Sequence, residues 1–171
     1  FKLIFEQVQN FHLKSKFYAN INCFWIVKNS FPVIEKLDKI NKRKGAKCIS
    51  TYDFSTLYTK IEHSSLIEVL NSLVDFVFKG GIRESIRIEG KNAFWSSHKD
   101  NIFNKDNIKL AIRHLIRECY FTVGNKLFIQ TIGIPMGIDP APFWANLYLY
   151  KFENNFMMNL RKSDIAKSRK F

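Results

Sequence analysis

Glycine and proline are scarce in this chain, 7 and 4 in 171 residues. That excludes collagen-like repeats and the Gly/Pro-rich composition of a low-complexity linker. Cysteine is scarcer still. Cys23, Cys48 and Cys119 are odd in number and widely spaced, so they offer neither a disulfide framework nor zinc-knuckle spacing, and a reducing interior, nucleus or cytoplasm, is expected. Long apolar runs are missing too. Nothing approaches the roughly 20 consecutive apolar residues of a bilayer span, and the opening FKLIFEQVQNFHLKSKF (1–17) mixes charges and amides too freely for a signal-peptide core; no membrane insertion is expected. Acidic residues are in deficit, 15 against 27 Lys and Arg, for a formal net charge of +12. Such a chain is drawn to polyanions, with nucleic acid the expected partner, although a surface facing an anionic membrane would leave the same balance.

What is abundant is apolar and aromatic material: 46% of the residues are hydrophobic, and 17 are Phe, 6 Tyr and 3 Trp. This suffices for one ordered domain with a substantial core, and it is more aromatic surface than such a core readily hides. The chain opens on Phe1 rather than Met. It reads as one domain over residues 1–171, expected to be an internal piece of something longer or a partial product.

Apolar residues recur at helical intervals over residues 1–17 and 30–40, the second stretch opening on Ser30-Phe31-Pro32, a helix-start order. A basic turn, NKRKGAK (41–47), leads into CISTYDF (48–54), whose β-branched and aromatic content predicts a strand with Asp53 near its end. Ser65 and Glu68 have capping-box spacing at the head of a helix that runs to Phe78. Residues 82–88 predict a short strand, and the polar stretch from there to Lys105 a loop. Asp106 is the expected cap of the next helix, lined by Ile108, Ala111, Ile112, Leu115 and Cys119. YFTVGNKLFI (120–129) predicts a hairpin about Gly124-Asn125, and Asp139-Pro140 opens a helix to about Met158 with apolar residues on most sides. The basic tail beyond Arg161 and the cations Lys42, Arg43, Lys44 and Lys47 can touch phosphate or simply be solvated. His12, His63, His98 and His114 have no paired metal-ligand spacing.

Two segments carry chemistry. A carboxylate at a strand end, as at Asp53, can supply one oxygen ligand to Mg²⁺ in a phosphoryl-transfer site, although a turn Asp is equally at home there. Tyr58 can lay its ring under a nucleotide sugar or pack on the following helix. QTIGIPMG (130–137) joins an amide, two glycines and a proline immediately before a helix. Such a turn lets backbone approach a base-paired nucleotide where a side chain at Gly133 would intrude, or it is a tight structural turn. It is not a Lys-Ser/Thr phosphate loop, because no basic residue follows the glycines.

Taken together, these segments resemble motifs A and B of reverse transcriptases, in particular the domain of Penelope-like and related retroelements. The similarity extends through NCFWIVKNS (22–30), YDFSTLYTKIEH (52–63), DFVFKGG (75–81) and FIQTIGIPMGIDPAPFWAN (128–146). The resemblance implies an α/β (α+β) fold, part of a right-hand polymerase with an antiparallel palm sheet backed by helices and part of the fingers. It implies an RNA-directed DNA polymerase activity using Mg²⁺ or Mn²⁺, an RNA template, a DNA primer and deoxynucleoside triphosphates. By motif position, Asp53 is the expected catalytic metal ligand and Phe54 the backbone neighbour of the metal. Tyr58 is the expected steric gate, while Gln130 and Gly133 line the incoming nucleotide and template base. The sequence departs from the family in carrying no paired-aspartate motif C after Gly137. An incomplete or inactive, nucleic-acid-binding relic is therefore the alternative, and an uncovered palm edge is expected to favour self-association.

Overall fold

The computed structural model describes residues 1–14, 24–27, 29–43, 48–79, 83–97 and 103–163. They divide into two compact units, Trp25–Ser55 and the remainder. The larger is organised by the helix α4, His63–Phe78. Its apolar residues fall at Leu66, Leu70, Leu73, Val74 and Val77, a helical stripe, and Ile67, Val69 and Phe78 widen it. A stripe that wide needs neighbours on several sides. They are α1 (Lys2–Lys14), α5 (Lys105–Arg117) and α6 (Ala141–Ser163), all packed on α4.

Each neighbour contributes its own face. α1 buries Ile4, Phe5, Val8 and His12; α5 buries Ile108, Ile112 and Ile116; α6 buries Trp144, Ala145, Leu147, Tyr150 and Met157. Removing each large apolar side chain from water contributes roughly 1.5–3 kcal/mol, so this four-helix contact dominates the unit's stability. Edge-on ring contacts reinforce it: Phe1 meets Trp144 at 5.3 Å and Phe5 meets Phe143 at 5.7 Å. α6 is less enclosed than its sequence implies. Phe152 and Phe156 stay more than half exposed, so one face is buried rather than most sides. The basic tail beyond Ser163, and His98, lie outside the described residues.

Several boundaries differ from the sequence reading, each for a local reason. α4 opens at His63 with Glu62 in the cap position and no side-chain cap. Ser65, one turn inside, shares a hydrogen bond with the Tyr148 hydroxyl of α6 at 3.0 Å; tertiary contact took the group assigned to capping. The cap of α5 is Asn104, whose Oδ1 accepts the Asn107 N–H at 2.9 Å. Asp106 instead lies in the first turn, where its charge suits the helix dipole. Asn104→Ala is expected to cost about 1 kcal/mol in urea denaturation, with Asp106→Ala costing less. On the face of α5, Ala111 and Leu115 are exposed and Ile116 takes the buried position.

The sheets are open and small. β1 (Ser85–Glu89) is central to an antiparallel three-stranded sheet with β2 (Asn92–Ser96) and β3 (Phe103–Asn104). Its β1–β2 turn uses Gly90 at φ 60°, the sign that a two-residue hairpin turn demands. β2 and β3 lie in the stretch read as loop. β2 has no buried residue and so lacks the alternating pattern that betrays a strand. β4 (Tyr120–Val123) and β5 (Lys126–Ile129) form the expected hairpin about Gly124, at φ 58°. Among the described residues no helix is long and apolar enough to cross a membrane.

In the smaller unit, α2 (Phe31–Lys42) opens where Ser30 and Pro32 predict, and the Asn29 Oδ1 accepts the Phe31 N–H at 3.1 Å. None of its residues is buried. The strand expected at residues 48–54 is not formed. Every one of these residues is exposed and none belongs to a described ladder. Strand-forming side chains make a strand only where a neighbour accepts the backbone hydrogen bonds.

Candidate functional site

Gln130 leaves β5 with its N–H bonded to the Cys119 carbonyl at 2.9 Å, which extends the hairpin by one step. The chain then turns sharply. The Gln130 Nε2 donates to the Ile132 carbonyl at 2.9 Å, bracing the turn from within. Ile132 makes an isolated antiparallel bridge with Glu62. Gly133 donates its N–H to the Ile61 carbonyl at 2.7 Å, and Ile134 donates to the Tyr58 carbonyl at 2.7 Å. The turn is therefore seated on the short helix α3 (Leu57–Lys60) and the residues that follow it.

Gly133 sits at φ 89°, a region that side chains disfavour. A Cβ there would lie 2.5 Å from the Tyr58 carbonyl oxygen, 3.1 Å from the Thr59 Cα and 3.2 Å from the Gln130 Nε2. The glycine is required by close approach of the chain to itself. Ile134 and Pro135 beside it are buried, whereas Met136 is 69% exposed. Behind the turn, the Ala141 N–H bonds to the Ile138 carbonyl at 3.1 Å and opens α6 after Asp139 and Pro140, as their order predicts.

Three of the five residues singled out by sequence thus meet. Tyr58, Gln130 and Gly133, distant along the chain, form one backbone-locked junction with Tyr58 and Gln130 half-buried. Asp53 and Phe54 belong to the smaller unit. There the Asp53 Oδ1 accepts the Phe54 N–H at 2.8 Å, and both residues are exposed. Among the described residues, no group of three His, Cys, Asp or Glu side chains is arranged to hold a metal. Mg²⁺ asks for about six oxygens in near-octahedral order, and one carboxylate with a backbone carbonyl supplies only a part of them. The residues described do not by themselves constitute a two-metal centre.

Electrostatics single out residues that sequence reasoning passed over. His12 is 8% exposed on α1 and hydrogen-bonds through Nε2 to the Tyr150 hydroxyl of α6. Burial lowers its pKa to about 4. Nothing in the spacing of His12 signals this, because its partner lies on a distant helix. Tyr120 has its pKa raised by the hydrogen bond it donates to the Glu118 Oε2, 2.9 Å away, and by the charge of that carboxylate. Burial raises the Glu153 carboxyl.

Comparison of the chain with models of protein families, with curated proteins and with solved structures finds no match.

Proposed function

We propose that this chain is part of an RNA-directed DNA polymerase domain of the reverse-transcriptase kind, with a fold that corresponds to its palm and part of its fingers. On this reading the domain joins deoxynucleotides to a primer. The primer 3′-hydroxyl attacks the α-phosphorus of a deoxynucleoside triphosphate, a new phosphodiester forms and pyrophosphate leaves. The observation that carries the reading is the junction of the QTIGIPMG turn with the segment of Tyr58. The resemblance requires these two stretches to border one nucleotide site, and their adjacency supports it.

In this assignment Asp53 is a metal ligand, Phe54 offers its backbone beside it, and Tyr58 screens the sugar against a 2′-hydroxyl. Gln130 and the Gly133 turn border the incoming nucleotide and the template base. Mg²⁺ or Mn²⁺ would supply charge neutralisation at the triphosphate, with Asp53 as one of several ligands. A second reading, that the chain binds nucleic acid without catalysis, is favoured by the net charge of +12.

The test is primer extension on an RNA template with Mg²⁺ or Mn²⁺, with binding of the primer–template measured in the same samples. Templated extension that Asp53→Ala abolishes, with binding retained, is the result expected of the polymerase. Binding without extension moves the assignment to the second reading. Absence of both removes nucleic acid from the account.

A further inference from the structure

The hairpin β4–β5 is the most exposed regular element of the larger unit: every residue of both strands is solvent-exposed. Its register sorts the side chains into two faces. Phe121 opposes Phe128 and Val123 opposes Lys126, so with period-two alternation these four share one side. Tyr120, Thr122, Leu127 and Ile129 share the other.

The two faces differ in charge. Tyr120 ties the Glu118 carboxylate to its own side. The Phe121 side carries Lys126 and no acid, and among the described residues Lys126 makes no ion pair. Arg113 and Arg117 on α5, which leads directly into β4, are exposed and equally without an ion pair there. The rings of Phe121 and Phe128 are stacked, with centroids 5.6 Å apart and planes 20° from parallel. They remain 47% and 43% exposed. A cross-strand pair of this kind stabilises the hairpin, but water-facing rings at the middle of both strands are surface that folding leaves unused.

We propose that this face is a stacking platform for unpaired bases of a nucleic-acid strand, with Phe121 and Phe128 taking the bases and Lys126 a backbone phosphate. Flat aromatic surface beside an unpaired cation is the combination that holds single strands without reading sequence, because every base has a π-face and every linkage a charge. A second copy of the chain fits the same face poorly. An isologous contact would bring two Lys126 ammonium groups into one small patch of two chains each carrying +12. The platform shares with the polymerase reading only the class of ligand. It uses neither Asp53 nor the Gly133 junction and holds equally for a polymerase and for a chain that merely binds.

Binding of a short single-stranded RNA by fluorescence anisotropy tests it, together with quenching of a 2-aminopurine base in the same strand. Phe121→Leu/Phe128→Leu keeps apolar bulk while removing both rings, and thermal denaturation verifies that it folds. With stacking lost at two bases, the double variant is expected to bind at least about 30-fold more weakly and to lose the quench. Lys126→Ala should weaken binding and flatten its salt dependence, and Leu127→Ala on the opposite face should do neither. Parent-like affinity and quench in the folded double variant would overturn the platform while leaving the polymerase reading to the extension assay. An equal loss in Leu127→Ala would overturn the assignment of the face. A change in sedimenting mass without a change in RNA affinity would overturn it in favour of a protein contact. Failure of the unaltered chain to bind any strand would remove both readings.

Discussion

Gly133→Ala is expected to lower the free energy of unfolding by about 3–5 kcal/mol, a large share of the 5–15 kcal/mol that holds a typical domain folded. Two costs add. A side chain at φ 89° is disfavoured by roughly 1–2 kcal/mol. The new Cβ would also lie 2.5 Å from the Tyr58 carbonyl oxygen, a backbone atom that cannot swing aside. The turn must then lift, lengthening the bonds from Gly133 to Ile61 and from Ile134 to Tyr58. Each buried backbone group left unpaired costs on the order of 1–3 kcal/mol. Gly124 provides the control, since it has a similar sign of backbone at φ 58° but no atom within 4 Å of its Cβ. Gly124→Ala should therefore cost only the conformational part, about 1–2 kcal/mol. Urea denaturation followed by circular dichroism compares the two, and equal costs would show that the approach to Tyr58 is not what demands the glycine.

The same residue illustrates how much of the site the sequence held. A glycine-proline turn before a helix is visible without a structure, and so is the helix itself, because Asp139-Pro140 has one common meaning. What Gly133 avoids is not visible, since Tyr58 and Thr59 approach it from a distant part of the chain. The helices α1, α4 and α5 could be read from apolar spacing, which is a local record of burial, whereas α2 shows the same spacing and a Ser30-Phe31-Pro32 start with none of its residues buried. Their caps were misread at Ser65 and Asp106, where hydrogen bonding to Tyr148 and the neighbouring Asn104 decided the outcome. β2 escaped because an exposed strand carries no alternation, and the strand at residues 48–54 was read from side chains that have strand preference but no described partner. Periodicity reports where one face is buried, and it is silent where both faces are wet or where a ladder must be completed from elsewhere.

Acid lability is the second large effect expected, and it follows from His12. Enclosed by the rings of Phe11, Phe24 and Tyr150 and bonded to the Tyr150 hydroxyl, its imidazole has its pKa lowered by burial from 6.5 to about 4. The folded chain therefore favours the neutral ring, whereas the unfolded chain takes up a proton near 6.5. Stability from this group is fully present above pH 6.5 and is lost as the pH falls from there through about 4. At 1.36 kcal/mol per pH unit, the interval from 6.5 to about 4 corresponds to a loss on the order of 3 kcal/mol. Carboxylates titrate over part of the same range, so the informative quantity is a difference between chains. His12→Phe removes the titration and keeps a ring against α6, at the expense of the bond to Tyr150. It should be less stable than the parent at pH 7.5 and should lose less on acidification, so that the two urea midpoints converge toward pH 4. Parallel pH profiles would mean that protonating His12 does not oppose the packing of α1 on α6. Tyr150→Phe separates the remaining contributions: it deletes the hydroxyl while leaving His12 buried, so it should weaken the fold at neutral pH and retain the steep acid limb.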